Sequence, residues 1–265
     1  LSLFLWLNEY FVIPIFDFLS KYIGNAGIVI LLLTLIIKLV LAPVQFKSYI
    51  SQAKMRILAP DIKAINDKYQ GQENAMVRSQ KTMELYKKAG VNPMSGCVPM
   101  LLMMPLLIAM FRFFPSCIQL RGESFLWVHD LSAPDAIFSW DAQIPFITNY
   151  FGNHVSLFCL LMTVTNIIYT KVSMSGSSNQ MPGMKWMMYL MPVMFLVFFN
   201  NYASGLSYYY FVSLLITILQ TFAFRKFVDE EKVLAKLKEN QKKPRKKSGF
   251  MARLEEAQKR QEALM

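Results

Sequence analysis

The 265-residue chain is short of the residues that most often do chemistry: two histidines, three cysteines, and 17 acids against 28 lysines and arginines. His129 and His154 stand alone, and Cys97, Cys117 and Cys159 have no metal-ligand spacing. If one helix joins Cys97 to Cys117, about 30 Å separates them, far beyond disulfide reach. Three free cysteines, no metal and no cofactor are expected. A nucleophile with its base is also lacking, since no apolar run holds Asp or Glu and both histidines fall outside such runs or at their outer edge. That argues against an intramembrane enzyme. The chain shows no internal repeat, which counts against a repeat-built transporter.

What is present is apolar bulk: 54% hydrophobic residues, with 21 Phe and 18 Met. That composition defines a membrane protein. The net charge of +11 would suggest nucleic acid if it lay on one surface, but the apolar runs divide it between segments. The first residue is Leu, so targeting is unreadable and a missing N-terminal part is expected.

Residues 1–23 are apolar but include Asn8, Glu9, Pro14 and Asp17, with the two acids eight apart on one helical face. This suits an amphipathic helix lying in the membrane interface. Residues 24–45 read as transmembrane helix 1. Residues 46–92 read as a two-helix hairpin in the cytoplasm, because Gln45 to Asn92 carries nine Lys or Arg against four acids. Its helical patterns are FKSYISQAKMRILAPDIKAINDKY and NAMVRSQKTMELYKKAG, with Gly90 as the stop. Residues 93–117 form transmembrane helix 2, and the net acidic stretch 118–153 an external loop. Transmembrane helix 3 spans 154–171, a cytoplasmic loop 172–184, transmembrane helix 4 185–201 and transmembrane helix 5 204–224. Residues 225–265 form a basic cytoplasmic tail with thirteen bases, including KKPRKKS at Lys242 to Ser248, against seven acids. The expected fold is an all-α polytopic membrane protein, with the start of helix 1 outside and the C-terminus inside.

One charge lies deep in this pattern. Lys38 sits well inside GNAGIVILLLTLIIKLVLAPV, Gly24 to Val44, and a central charge costs roughly 2.5 to 3.5 kcal/mol on insertion scales. Around it, Thr34, Lys38, Leu41 and Gln45 share one helical face. Ser156, Thr163, Asn166 and Thr170 make a stripe in the third span, and Ser207, Tyr210, Ser213, Thr217, Gln220 and Thr221 another in the fifth. A single Ser or Thr ordinarily just bonds within or between packed helices. With a lysine and no intramembrane acid, a hydrated polar cavity is cheaper than a dry, deprotonated lysine. Methionines crowd the second and fourth spans, among them Met94, Met100, Met103, Met104, Met110, Met187, Met188 and Met191. They pack against lipid or make an adaptable apolar slide beside the polar groove.

Long motifs occur in order: GNAGIVILLLTLIIK followed by AP, AKMRILAPDIKAI, LYKKAGVNPMSGCVPMLLMMP, FLWVHDLSAPD, MPVMFLVFF and ASGLSYYYFVS. In these the chain resembles the YidC/Oxa family of membrane protein insertases over nearly its whole length. The resemblance implies five core spans around a hydrophilic groove open to the cytoplasm and lipid, with a mobile cytoplasmic hairpin. It implies a bacterial inner-membrane location, and a preceding anchor and large periplasmic domain as in Gram-negative members. Lys38 stands where that family usually has arginine, which keeps the charge but not the planar fork. Groove residues under this reading are Lys38, Thr34, Gln45, Thr163, Asn166, Tyr210, Ser213 and Thr217, and the slide comprises Pro99, Met104 and Pro105. Implied partners are nascent membrane proteins, membrane lipids and the ribosome through the basic tail, with a Sec translocon left open. Attraction of the tail to anionic lipid is an equal alternative. A small-solute transporter or channel using the same lysine is the rival function.

Overall fold

The computed structural model describes residues 6–71, 74–91, 98–142, 151–174 and 184–229, together with 148, 233–235 and 237. A π-helical turn, Asn8–Val12, runs into α1 (Ile13–Tyr22). Pro14 follows directly on the π-helical turn, at the point where the helix returns to α geometry. Val12 and Phe16 are buried against the next helix, while Trp6, Tyr10, Phe18 and Tyr22 stay exposed. Asn8 donates from Nδ2 to the Ala109 carbonyl at 2.8 Å, and Asp17 accepts from Gln119 Nε2 at 2.9 Å. The N-terminal helix is thus fastened at both ends.

Helix α2 (Ala26–Ile57) starts where the Asn25 side chain accepts from Ile28 N–H at 3.2 Å. Its 32 residues extend about 48 Å, well beyond a hydrocarbon core of about 30 Å. The helix therefore does not end with its apolar part. The chain from Phe46, expected to open the hairpin, continues the span to Ile57 and breaks only at Leu58, ahead of Pro60. The hairpin proper is α3 (Ala59–Lys68) and α4 (Ala75–Ala89). Gly90, at φ 72°, closes α4: its N–H reaches Lys87 O at 3.2 Å and Val91 N–H reaches Tyr86 O at 2.9 Å. On α4, Glu84 lies between Lys88 at 2.8 Å and Lys81 at 3.1 Å. Hydrogen bonds from these two ammonium groups hold its carboxyl below the ordinary glutamate value.

A small apolar cluster joins the hairpin to the end of α2: Met55, Leu58, Ile62, Tyr86, Ala89 and Val91, with Leu237 from beyond the last helix. It is separate from the main core, so the hairpin has a packing centre of its own.

Helix α5 (Val98–Ser116) contains Pro105 and Pro115 and buries Ala109, Met110, Phe113 and Phe114. After a 3-10 turn at Ile118–Leu120, two short strands, β1 (Ala136–Ser139) and β2 (His154–Ser156), pair antiparallel. This short strand pair is an addition to a mostly helical fold. It also moves the start of the third apolar helix, α6, to Leu157 (Leu157–Met174), so the segment expected to begin helically at residue 154 is strand first. Helices α7 (Met184–Phe199) and α8 (Ser204–Phe227) complete the described fold. Residues 92–97 with Cys97, the 175–183 part of the loop, and the KKPRKKS run lie outside the described residues.

Helix α8 is the centre of the bundle. It packs on α6 and α2 and touches α5, whereas α7 leans on α6. Among the described residues, α2 and α8 are long and apolar enough to cross a membrane, and shorter apolar stretches occur at Met104–Ser116, Leu157–Ser173 and Trp186–Phe199.

Candidate functional site

The face of α2 that meets α8 repeats at three and four residues: Ile30, Leu33, Thr34, Ile37 and Lys38 are all buried, while Leu31, Leu35, Leu39 and Val40 on other faces are exposed. Helical geometry therefore carries Lys38 inward with its apolar neighbours, and its side chain is 1% exposed. Lys38 Nζ donates to Thr217 Oγ1 at 2.7 Å. That hydroxyl donates in turn to the Ser213 carbonyl at 2.7 Å, so its hydrogen is committed and a lone pair faces the ammonium. One turn on, Gln220 Nε2 donates to the main-chain carbonyl of Lys38 at 3.3 Å.

An ammonium offers three donors, and among the described residues Thr217 is its hydrogen-bond partner. The salt bridges found there lie on α4, not near Lys38. Nearby amides are also incompletely used: Gln220 Oε1 and Gln45 Nε2 are buried without a partner. Lys38 is thus 1% exposed with one hydroxyl as its hydrogen-bond partner among the described residues. Its polar valences exceed what the side chains supply.

The remaining groove candidates divide clearly. Thr217 joins Lys38 directly, and Ser213 is linked to it through its main-chain carbonyl, which accepts from Thr217. Thr34 is fully buried and donates to Ile30 O at 2.6 Å, and Thr163 donates to Cys159 O at 2.9 Å, so both hydroxyls satisfy their own helices. Asn166 is half-buried on α6, its carbonyl accepting from Thr170 at 2.9 Å. Tyr210 is half-buried and stacks with Phe199 at 6.5 Å between ring centroids. In the proposed slide, Met104 is 47% exposed and Pro105 half-buried, while the side chain of Pro99 lies outside the described residues. Cys117 and Cys159 are free thiols.

A second polar centre went unrecognised in the sequence. Asp135, 5% exposed, accepts from Phe158 N–H at 3.0 Å, from Trp127 Nε1 at 3.2 Å and from the Ser156 hydroxyl. Ser156 Oγ accepts from Cys159 N–H at 3.1 Å. Together they cap the start of α6, with the carboxylate at the positive end of the helix. Beside them Asn200 donates to Phe151 O at 2.8 Å and His154 O at 2.6 Å and accepts from Ser156 N–H at 2.9 Å. Two loop carbonyls, Ala133 O and Leu131 O, take the first N–H groups of α8, from Ser204 and Gly205, at 2.9 Å each. Ser156, expected on the stripe of the third span, belongs to this cap. A serine immediately before an apolar helical run was the available signal. Gly27 allows the Phe125 ring to lie directly on α2, since a Cβ there would collide with it.

A mostly helical chain with two described helices of membrane-crossing length and a lysine held between them has the features of a helical membrane protein. A family model described as "60Kd inner membrane protein" matches residues 18–232, and the chain belongs to that family. Relatives carry the name membrane protein insertase YidC. The protein of Parabacteroides distasonis is 64% identical over 98% of this chain and 42% of its own length. Those of Porphyromonas gingivalis and Bacteroides fragilis are 54% and 52% identical over 99% and 98% of this chain, and 43% and 42% of their own. The chain thus spans about two fifths of the length of these relatives.

Proposed function

We propose that this chain is the membrane-embedded core of an insertase that moves nascent membrane proteins into the bilayer without making or breaking a bond. In this reading α2, α5, α6, α7 and α8 are five spans of the bacterial inner membrane, with the start of α2 outside and the C-terminus cytoplasmic. Lys38, Thr34, Gln45, Thr163, Asn166, Tyr210, Ser213 and Thr217 line a groove that opens towards the cytoplasm, and Pro99, Met104 and Pro105 form its apolar slide. The Asp135 cap closes the outer end. The fixed positive charge attracts an acidic or polar N-terminal segment of the client. Shortening the apolar barrier lets that segment cross, and burial of the client's own span in lipid drives the step home. The hairpin α3–α4 receives the client, and the basic tail holds a ribosome through phosphate contacts, or anionic lipid. A Sec translocon is a further partner in this scheme.

The observation that carries the reading is Lys38: a cation 1% exposed, bonded to one hydroxyl, with no carboxylate bridged to it among the described residues. A structural ion pair would carry its counter-charge within the fold, whereas this cation has attraction left to offer. The names of the relatives support the same role. The test is depletion of the protein in its host. Loss of small-protein insertion with unchanged solute fluxes is the expected result, while lost flux with normal insertion would select a transporter or channel.

A further inference from the structure

Residue 38 is gripped at two points by one helix. Thr217 holds its ammonium at 2.7 Å and Gln220, three residues further along α8, holds its carbonyl at 3.3 Å. The place for such a grip is physically reasoned. Pro43, inside α2, has no N–H for the carbonyl four residues before it, so the helix is weakened just beyond Lys38. A flexible four-carbon side chain in a weakened helix would spread its charge over many positions. Thr217 is prepared for the opposite outcome, because its hydroxyl hydrogen is committed to the Ser213 carbonyl and only its lone pairs face Lys38.

We infer that Thr217 and Gln220 are positioning residues, which fix where the groove charge stands and thereby set how strongly the protein prefers clients with an acidic N-terminal segment. This deepens the insertase reading and rests on it. In this account both set client preference through Lys38. The grip also leaves the ammonium with N–H groups to spare, so it can hold its place and still bind an incoming carboxylate.

The test uses the full-length protein in proteoliposomes and two clients that differ only in carrying acidic or neutral residues in the segment to be translocated. The readout is the ratio of the two insertion rates, with thermal unfolding as a check on folding. Thr217→Val is expected to lower that ratio about tenfold, as for loss of a hydrogen bond to a charged group, and Thr217→Ser to restore it. An equal slowing of both clients, no change in the ratio, or failure of the serine variant to rescue would overturn the assignment, since a packing role is blind to client charge. Should Thr217→Val not fold, Gln220→Met carries the same test with an expected fall of about threefold, and an unchanged ratio again rejects it. Lys38→Met separates this inference from its foundation. If it keeps the wild-type ratio, the electrostatic reading itself fails; if it loses the ratio while both positioning variants keep it, only the clamp fails.

Discussion

Among the described residues two charged side chains are buried, Asp135 at 5% exposure and Lys38 at 1%, and they are treated in opposite ways. Asp135 receives the Phe158 N–H, the Trp127 indole N–H and the Ser156 hydroxyl, at the positive end of α6. Lys38 has the Thr217 hydroxyl. The first charge is saturated by the fold and holds strand, loop and helix start together. The second is placed and then left with unused capacity. A buried group that the fold satisfies is a structural device, and one it leaves hungry marks a site of work.

Truncation should separate the two sharply. Asp135→Ala strands several buried donors and is expected to cost about 3 to 5 kcal/mol, read as a lowered unfolding temperature of the purified protein. Lys38→Met should leave that temperature unchanged or raise it, because replacing a buried, weakly paired charge by a similar apolar side chain is often neutral or stabilising. Similar losses from both would erase the distinction. Reversal of sign sharpens it: Lys38→Glu is expected to impair insertion of acidic clients while Lys38→Arg retains it, measured as protease-protected client. Equal activity of all three proteins would remove the electrostatic step.

The loop packed on the start of α2 can also be strained without touching a charge. Gly27→Leu drives a side chain into the Phe125 ring and should destabilise by roughly 1 to 3 kcal/mol, with clients of either charge affected alike. The smallest effect concerns charge outside the bundle. Replacing Lys242, Lys243, Arg245, Lys246 and Lys247 by Ala should weaken ribosome co-sedimentation and flatten its salt dependence, by about 0.7 to 0.9 in slope per lost phosphate contact. Substitution is preferable to deletion from Arg225, because α8 runs on to Phe227 and Leu237 is packed against the hairpin. Unchanged binding across salt concentrations would exclude the tail.

Much of the inner site was legible because helices are periodic. Spacing of three and four residues put Ser213, Thr217 and Gln220 on one stripe of α8 and Lys38 on the matching face of α2, and the structure joins them. Thr34 and Thr163 lie on stripes of the same kind and, like Thr217, turn their hydroxyls back to the carbonyl four residues earlier, but only Thr217 also accepts a hydrogen bond from Lys38 among the described residues. The Asp135 cap was not legible. It gathers Trp127, Asp135, Ser156, Phe158 and Asn200 from segments with no common period, and only chain folding brings them together. Helix length is set differently from span length: the change from apolar to basic residues after Gln45 marks where lipid should end, while backbone hydrogen bonds continue α2 to Ile57.

The most direct measurement of the central claim is thiol labelling of a Lys38→Cys variant in native membranes, with a small water-soluble reagent added from the cytoplasmic side. The built-in reference is Cys159, fully buried on α6. Unused polar valence at this depth requires water, so position 38 should label readily while Cys159 does not. Protection of position 38 equal to that of Cys159 would contradict the account.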